Sequence, residues 1–257
     1  MIDIHTHILP NVDDGAKDEI ESHWMLKNAM KDGIHTVVAT PHFHHDHPRF
    51  SLESPKVIKR VERLRKYIQK HQLKINILPG QEVRIFGELI EYYEAGKILT
   101  IADKKSHMLI EFPFHEVPHY TEKLFYELNL REIVPIIAHP ERNSDILKNP
   151  EKLLNVVEKG ALTQLTAGSL LGNYGKDVQK FSHQLMENNL IHIIATDAHN
   201  VDKRPFNMNR AMVEVVKKYG EDQASYFINN AKSVALGKQV VIKPPKPVGK
   251  KKFFKST

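Results

Sequence analysis

Short apolar runs recur along this chain, and charged stretches with helical spacing separate them. Seven runs read as strands: Ile2–His7, Thr36–Thr40, Ile75–Leu78, Met108–Phe112, Val134–Ala138, Leu162–Thr166 and Ile191–Thr196. Several are almost wholly apolar, which is the pattern of parallel strands covered on both faces. Between them the spacing predicts helices over Asp18–Lys31, Pro55–His71, Tyr120–Asn129, Pro150–Glu158 and Lys176–Asn188, with a shorter one inside 87–99. The first opens on acids and stops at Gly33, and the fourth has Pro150 near its start and Gly160 past its end. Strand and helix alternate, which implies an α/β fold with a parallel sheet or barrel.

The residues at the carboxyl end of each strand set the chemistry. The first run carries His5 and His7 on one face, because a strand repeats every two residues, and Asp13-Asp14-Gly15 comes next. The second leads into Pro41-His42 and the third into Gly80-Gln81-Glu82. The fourth ends Ile110-Glu111-Phe112-Pro113, and the fifth gives His139-Pro140-Glu141-Arg142-Asn143. The sixth gives Thr166-Ala167-Gly168-Ser169, and the seventh Thr196-Asp197-Ala198-His199-Asn200. Six of the seven strands thus deliver a His, Asp or Glu at their carboxyl end. In a βα barrel those ends meet at one mouth, where active sites sit.

Composition narrows the choice. A chain of 257 residues, 41% of them hydrophobic, suits one barrel domain, expected over 1–242. The absence of cysteine excludes disulfides, thiolate zinc sites and a Cys nucleophile. Asp3, His5 and His7 interrupt the apolar start, so no signal peptide is expected, and no apolar run is long enough to span a membrane. The expected location is cytoplasmic. The net charge of +6 sits in the tail. Six lysines and no acid lie from Lys243 onward, and the remaining 31 basic residues balance 31 acidic ones. A neutral body argues against a nucleic-acid footprint.

Imidazoles and carboxylates without sulfur favour Mn, Fe or Zn over purely oxygen-loving ions. There are more candidates than one ion needs. Clustered ions activate water and clamp the oxygens of a phosphoryl transfer. Arg142 and Arg204 lie near the candidates in sequence, and guanidinium forks suit phosphate. On spacing alone, Arg204 reads rather as a surface ion pair. These residues point to a metal-dependent hydrolase acting on a phosphoester.

The set His5-Thr6-His7, Asp13-Asp14-Gly15, Ala39-Thr40-Pro41-His42, Gly80-Gln81-Glu82, Ile110-Glu111-Phe112-Pro113, Ala138-His139-Pro140-Glu141-Arg142 and Thr196-Asp197-Ala198-His199 resembles the PHP (polymerase and histidinol phosphatase) superfamily. Within it the pattern is similar to the manganese-dependent protein-tyrosine phosphatases of Gram-positive capsule and exopolysaccharide loci, the CpsB/YwqE/CapC type. The resemblance implies a distorted (β/α)7 TIM-like barrel with a three-metal Mn²⁺ cluster, Fe or Zn being alternatives. It implies one metal on His5, His7, Glu82 and Asp197, a second on Glu82, Glu111 and His139, and a third on Asp14, His42 and His199. It also implies that Arg142 and Arg204 hold phosphate and that the substrate is a phosphorylated bacterial tyrosine kinase. The alternative of the same fold is a small-molecule phosphatase such as a histidinol-phosphate phosphatase. Amidohydrolases also begin with His-x-His, but usually need a carbamylated lysine where this chain carries Glu82 and Glu111.

Other residues read more simply. Arg84 is a candidate for the substrate side, and His199 or a metal-bound water for the proton donor. His44, His45 and His47 read as a solvated loop beside the mouth. Trp24, Phe112 and Phe114 read as packing residues, and Tyr120, Phe125 and Tyr126 as core. The Lys-rich tail 243–257, with Phe253-Phe254, is expected to lack fixed structure or to dock on an anionic membrane surface.

Overall fold

The computed structural model describes residues 1–249. In chain order its elements are β1 Ile2–Thr6, α1 Glu19–Lys31, β2 Thr36–Ala39, β3 His42–Phe43, α2 Ser54–Lys70, β4 Asn76–Pro79, β5 Glu82–Arg84, α3 Leu89–Glu94, β6 His107–Glu111 and α4 Thr121–Asn129. The remainder are β7 Val134–Ala138, α5 Ser144–Lys148, α6 Glu151–Glu158, β8 Leu162–Thr166, α7 Ala167–Leu170, α8 Lys176–Glu187, β9 Ile193–Ala195, α9 Met208–Tyr219 and α10 Glu221–Ala235.

Every pairing between these strands is parallel, in the orders β1-β2-β4 and β3-β5-β6-β7-β8-β9. Two of the seven expected strands are each followed, after a break, by a second short strand that the spacing does not predict. Thr40-Pro41 separates β2 from β3, where proline cannot donate to a ladder, and Gly80-Gln81 separates β4 from β5. A bridge between Thr6 and Ala198 brings β1 beside the end of β9. The seven strand positions therefore succeed one another around a ring, distorted where two of them break. The short strands after the breaks align site residues: His42 pairs with Glu82, and Arg84 with Glu111.

The inner core draws Ile4, Val38, Leu109, Ile136, Leu162 and Ile193 from six strand positions. Ile101 and Ala102 of a short 3-10 turn, and Ala231 and Val234 of α10, join it. A larger layer lies between strands and helices. The helix α2 supplies Val57, Val61, Leu64 and Ile68 to it, a stripe at helical spacing. Each such side chain contributes about 1.5–3 kcal/mol by leaving water. Two residues beyond Leu109 and Leu162, the strand period aims Glu111 and Gln164 into the mouth.

The helices α9 and α10 go beyond the sequence expectation, although Met208, Ala211, Met212 and Val215 carry the helical spacing. Asp32, just past α1, caps α9 by accepting from Met208 N at 2.6 Å and Asn209 N at 3.2 Å. Trp24 and Tyr126, expected inside, are half or more exposed. Each lies on the outer face of its helix. Lys243 to Val248, expected to begin a separate tail, lie against the body. Lys243 Nζ donates to Gln223 at 2.6 Å, Lys246 N to Asn188 O at 2.9 Å, and Val248 packs on the outer layer. Lys250 to Lys252 and Phe253-Phe254 lie outside the described residues. Among the described residues no helix is long and apolar enough to cross a membrane.

Two buried histidines away from the mouth make stability depend on pH. Burial pushes His107 and His192 down to about 4, whereas an unfolded imidazole titrates near ~6.5. As pH falls from that value toward 4, the unfolded chain takes up protons that the folded chain refuses. The stabilisation is complete above the unfolded value and is lost on acidification, on the order of 3 kcal/mol for each group. His192→Gln should therefore flatten the dependence of unfolding free energy on pH between 6.5 and 4. A slope equal to the wild type's in denaturant titrations would contradict this.

Candidate metal centre

The first strand delivers His5 and His7, both fully buried. The loop after it folds back through Asn11 N to Ala16 O at 2.8 Å and Ala16 N to His7 O at 3.0 Å. A Cβ on Gly15 would lie 2.0 Å from the His7 carbonyl oxygen, so only glycine fits. This return holds Asp13 and Asp14 over the strand ends.

Hydrogen bonds fix three imidazole tautomers. His5 Nδ1 donates to Gln164 Oε1 at 2.8 Å, His7 Nδ1 to Asp13 Oδ2 at 2.7 Å, and His199 Nδ1 to the Asp197 carbonyl at 2.9 Å. Each ring then turns an Nε2 lone pair into the mouth, which is how metal-ligating histidines are oriented. The Nε2 atoms of His5 and His7 lie 3.2 Å apart. Both sit 3.2 Å from Glu82 Oε2 and 3.4 Å from Asp197 Oδ1. Donors spaced this way around one point would each lie ~2 Å from an ion there, an ordinary ligand distance.

Two further groups adjoin. Glu82 Oε1 is 2.8 Å from His139 Nε2, which is 3.9 Å from Glu111 Oε1. Asp14 Oδ1 stands 3.4 Å from both His42 Nε2 and His199 Nε2. The buried Asp197 Oδ1 and His199 Nε2 have no hydrogen-bond partner, and Glu82 Oε2 and His42 Nδ1 face each other at 2.9 Å without forming a regular hydrogen bond. Such atoms are costly unless something else satisfies them, and a cation suits this donor set. The field agrees. Burial pushes His42 down, yet Glu82 beside it raises it to about 10. Burial pushes Asp197 up, yet Arg142, His5 and Arg204 hold it well below the usual carboxylate range. A site that pulls protons onto imidazoles also attracts cations.

His139 and Asp197 adopt left-handed φ values of 33° and 55°. Neither is glycine, and His139 precedes a proline, so both conformations are strained. Strain at two donor residues marks a site fixed by its surroundings. Asp197 divides its oxygens. Oδ1 faces the histidines, while Oδ2 is ion-paired with Arg142 Nη2 at 2.9 Å and accepts from Arg204. Arg204 is thus no surface ion pair. The Asn200 side chain accepts from Arg204 N at 2.9 Å and closes the turn that brings it back. Arg84 donates to Glu111 Oε2 at 3.0 Å.

All twelve sequence-expected residues meet around one cavity of about 280 Å³ or directly beneath it. Sequence reasoning missed several participants, Phe50 of the cavity wall among them. Gln164 and Asp13 orient His5 and His7. His44, expected to be solvated, puts Nε2 3.4 Å from Glu111 Oε2, because its loop turns back at Phe50. Phe114, expected to pack, is 61% exposed and lines the cavity. Gln164 carried a signal: a long polar side chain on the same strand face as Leu162, where the inner core would ask for an apolar one.

A parallel ring of strands with clustered histidine and carboxylate donors at its carboxyl mouth defines a metal-dependent hydrolase architecture. The family model described as capsular polysaccharide synthesis, CpsB/CapC, matches residues 1–235, and the chain belongs to that family. It is 43% identical over 254 residues to the tyrosine-protein phosphatase YwqE of Bacillus subtilis, covering 99% of each chain. It is 40% identical over 256 residues to the putative tyrosine-protein phosphatase CapC of Staphylococcus aureus, again covering 99% of each. Among solved structures it resembles one described as YwqE from Bacillus subtilis and CpsB from Streptococcus pneumoniae, unique metal-dependent tyrosine phosphatases. The TM-score is 0.94 at 43% identity, covering 97% of this chain and 100% of that one.

Proposed function

We propose that the chain hydrolyses phosphotyrosine in proteins, using a cluster of up to three Mn²⁺ ions, and that its substrate is a bacterial tyrosine kinase governing capsule or exopolysaccharide synthesis. The carrying observation is the convergence of His5, His7, Glu82 and Asp197 on one point, with two arginines on the far oxygen of Asp197. The phosphatase names of full-length relatives support the tyrosine reading over a small-molecule phosphatase.

Nine side chains would hold the ions. His5, His7, Glu82 and Asp197 take one, Glu82, Glu111 and His139 a second, and Asp14, His42 and His199 a third. The bound ions supply Lewis acidity, activating the attacking water and neutralising charge on the phosphoryl oxygens. Glu82 joins two groups through its two oxygens. Arg142 and Arg204 grip the phosphoryl oxygens with their remaining donors, and Arg84 stands at the edge of the same cavity. Burial and neighbouring His7 push His199 down to about 4. Its ring is therefore neutral at physiological pH, which suits a ligand better than a proton donor. A phenol leaves with a pKa near ~10, so modest acid assistance suffices.

A cytoplasmic enzyme that docks at the inner membrane face would meet a membrane-bound kinase there, and the lysines from Lys250 onward offer the charge for it. A substrate panel tests the reading: phosphotyrosyl and phosphoseryl peptides, histidinol phosphate and a dinucleotide, each with Mn²⁺. Preference for the phosphotyrosyl peptide is expected, and preference for histidinol phosphate would overturn it. A chain ending at Gly249 should keep its rate on the peptide but lose low-salt binding to anionic vesicles, and unchanged binding would remove the membrane role.

A further inference from the structure

The cavity above the donor groups has aromatic walls that the ligand set does not explain. Phe50 lies in the excursion after β3, and Phe114 just beyond β6. Strand order around the ring places Phe50 first, then Arg84 on β5, then Phe114, then Arg142 after β7. An aromatic residue therefore flanks Arg84 on each side, above Glu82 and Glu111.

The Phe50 ring is held by its neighbours, and Phe114 is held through its backbone. The Phe50 ring stacks on His47 at 4.4 Å and meets His44 edge-on at 5.4 Å. Its carbonyl accepts from His44 N at 2.6 Å. Phe114 is more telling. Its ring is 61% exposed, with His115 edge-on at 4.9 Å. Its backbone is tightly fixed. The Phe114 carbonyl accepts from Ser144 N at 3.0 Å. Buried Asn143 spends its amide on Pro113 O and Glu116 O, on either side of Phe114, and its oxygen on Asp145 N and Ile146 N. That fills all four of its hydrogen-bonding positions. A large apolar ring on a loop so firmly pinned, beside Arg142, is preorganised for a ligand rather than left over from the core.

We infer that Phe114, with Phe50, forms an aromatic slot for the phenyl ring of phosphotyrosine and so sets the preference for aryl over aliphatic phosphates. This rests on the phosphotyrosine reading above. A phosphotyrosyl phosphate stands a ring's length from the peptide backbone. With the phosphoryl group at Arg142 and Arg204, the ring occupies the space these side chains border. A phosphoserine has nothing to place there.

The test compares Phe114→Ala and Phe114→Tyr with wild type on p-nitrophenyl phosphate, a phosphotyrosyl peptide, a phosphoseryl peptide and β-glycerophosphate. One aromatic contact is worth roughly a two- to tenfold change in affinity. KM for the two aryl substrates should rise by about that factor in Phe114→Ala and return toward wild type in Phe114→Tyr. The two aliphatic substrates and bound metal should not change. A Phe114→Ala protein that keeps the wild-type aryl preference overturns the slot and leaves the phosphotyrosine reading intact. A wild type without aryl preference overturns both.

Discussion

Replacing Glu82 with alanine should remove metal from two positions at once and lower turnover by roughly a hundredfold or more. The carboxylate is fully buried and uses both oxygens differently. Oε2 lies 3.2 Å from both His5 and His7, and Oε1 lies 2.8 Å from His139. No other side chain of the site joins those two groups through separate atoms. His42→Ala is the control. Its Nε2 faces Asp14 and its Nδ1 lies 2.9 Å from Glu82 Oε2, so the loss of a ligand to one position alone should weaken that position and leave the other two filled. Elemental analysis of each variant with its turnover decides the matter. A Glu82→Ala protein with full metal and wild-type turnover would refute the bridging role.

Arg142→Lys and Arg204→Lys should each lower kcat/KM by roughly tenfold or more, with metal content and Tm near wild type. Lysine keeps the charge but loses the planar fork. Each charge-assisted pair of hydrogen bonds to the phosphoryl group is worth about 1.5–3 kcal/mol, enough for such a loss. Both guanidinium groups rest on Asp197 Oδ2, so the phosphate grip and the first donor group share one residue. A variant that is fully active, or one that fails to fold, would count against a role in binding phosphate.

The ring of strands was legible because buried parallel strands are apolar on both faces. Val134–Ala138 and Leu162–Thr166 fall where the pattern places them. The breaks at Thr40-Pro41 and Gly80-Gln81 were not, since each short strand after a break looks like the loop that carries a ligand. Site residues at strand ends were legible because the period of two fixes their face. The residues that escaped depend on long-range return of the chain. Gln164 matters only because β8 stands one strand away from β1, beyond β9, within reach of His5. His44 and Phe50 reach the cavity because their loop closes through a bridge between Phe43 and Ser51. Phe114 is exposed because Asn143, about thirty residues on, pins its loop.

The most direct test strips the protein with a chelator and titrates Mn²⁺ back while tracking bound metal and turnover of a phosphotyrosyl peptide together. Turnover should be absent without metal, appear as the ions bind, and level off by about three equivalents per chain, the number the three donor groups can hold. A metal-free protein that dephosphorylates the peptide at the full rate would contradict the account.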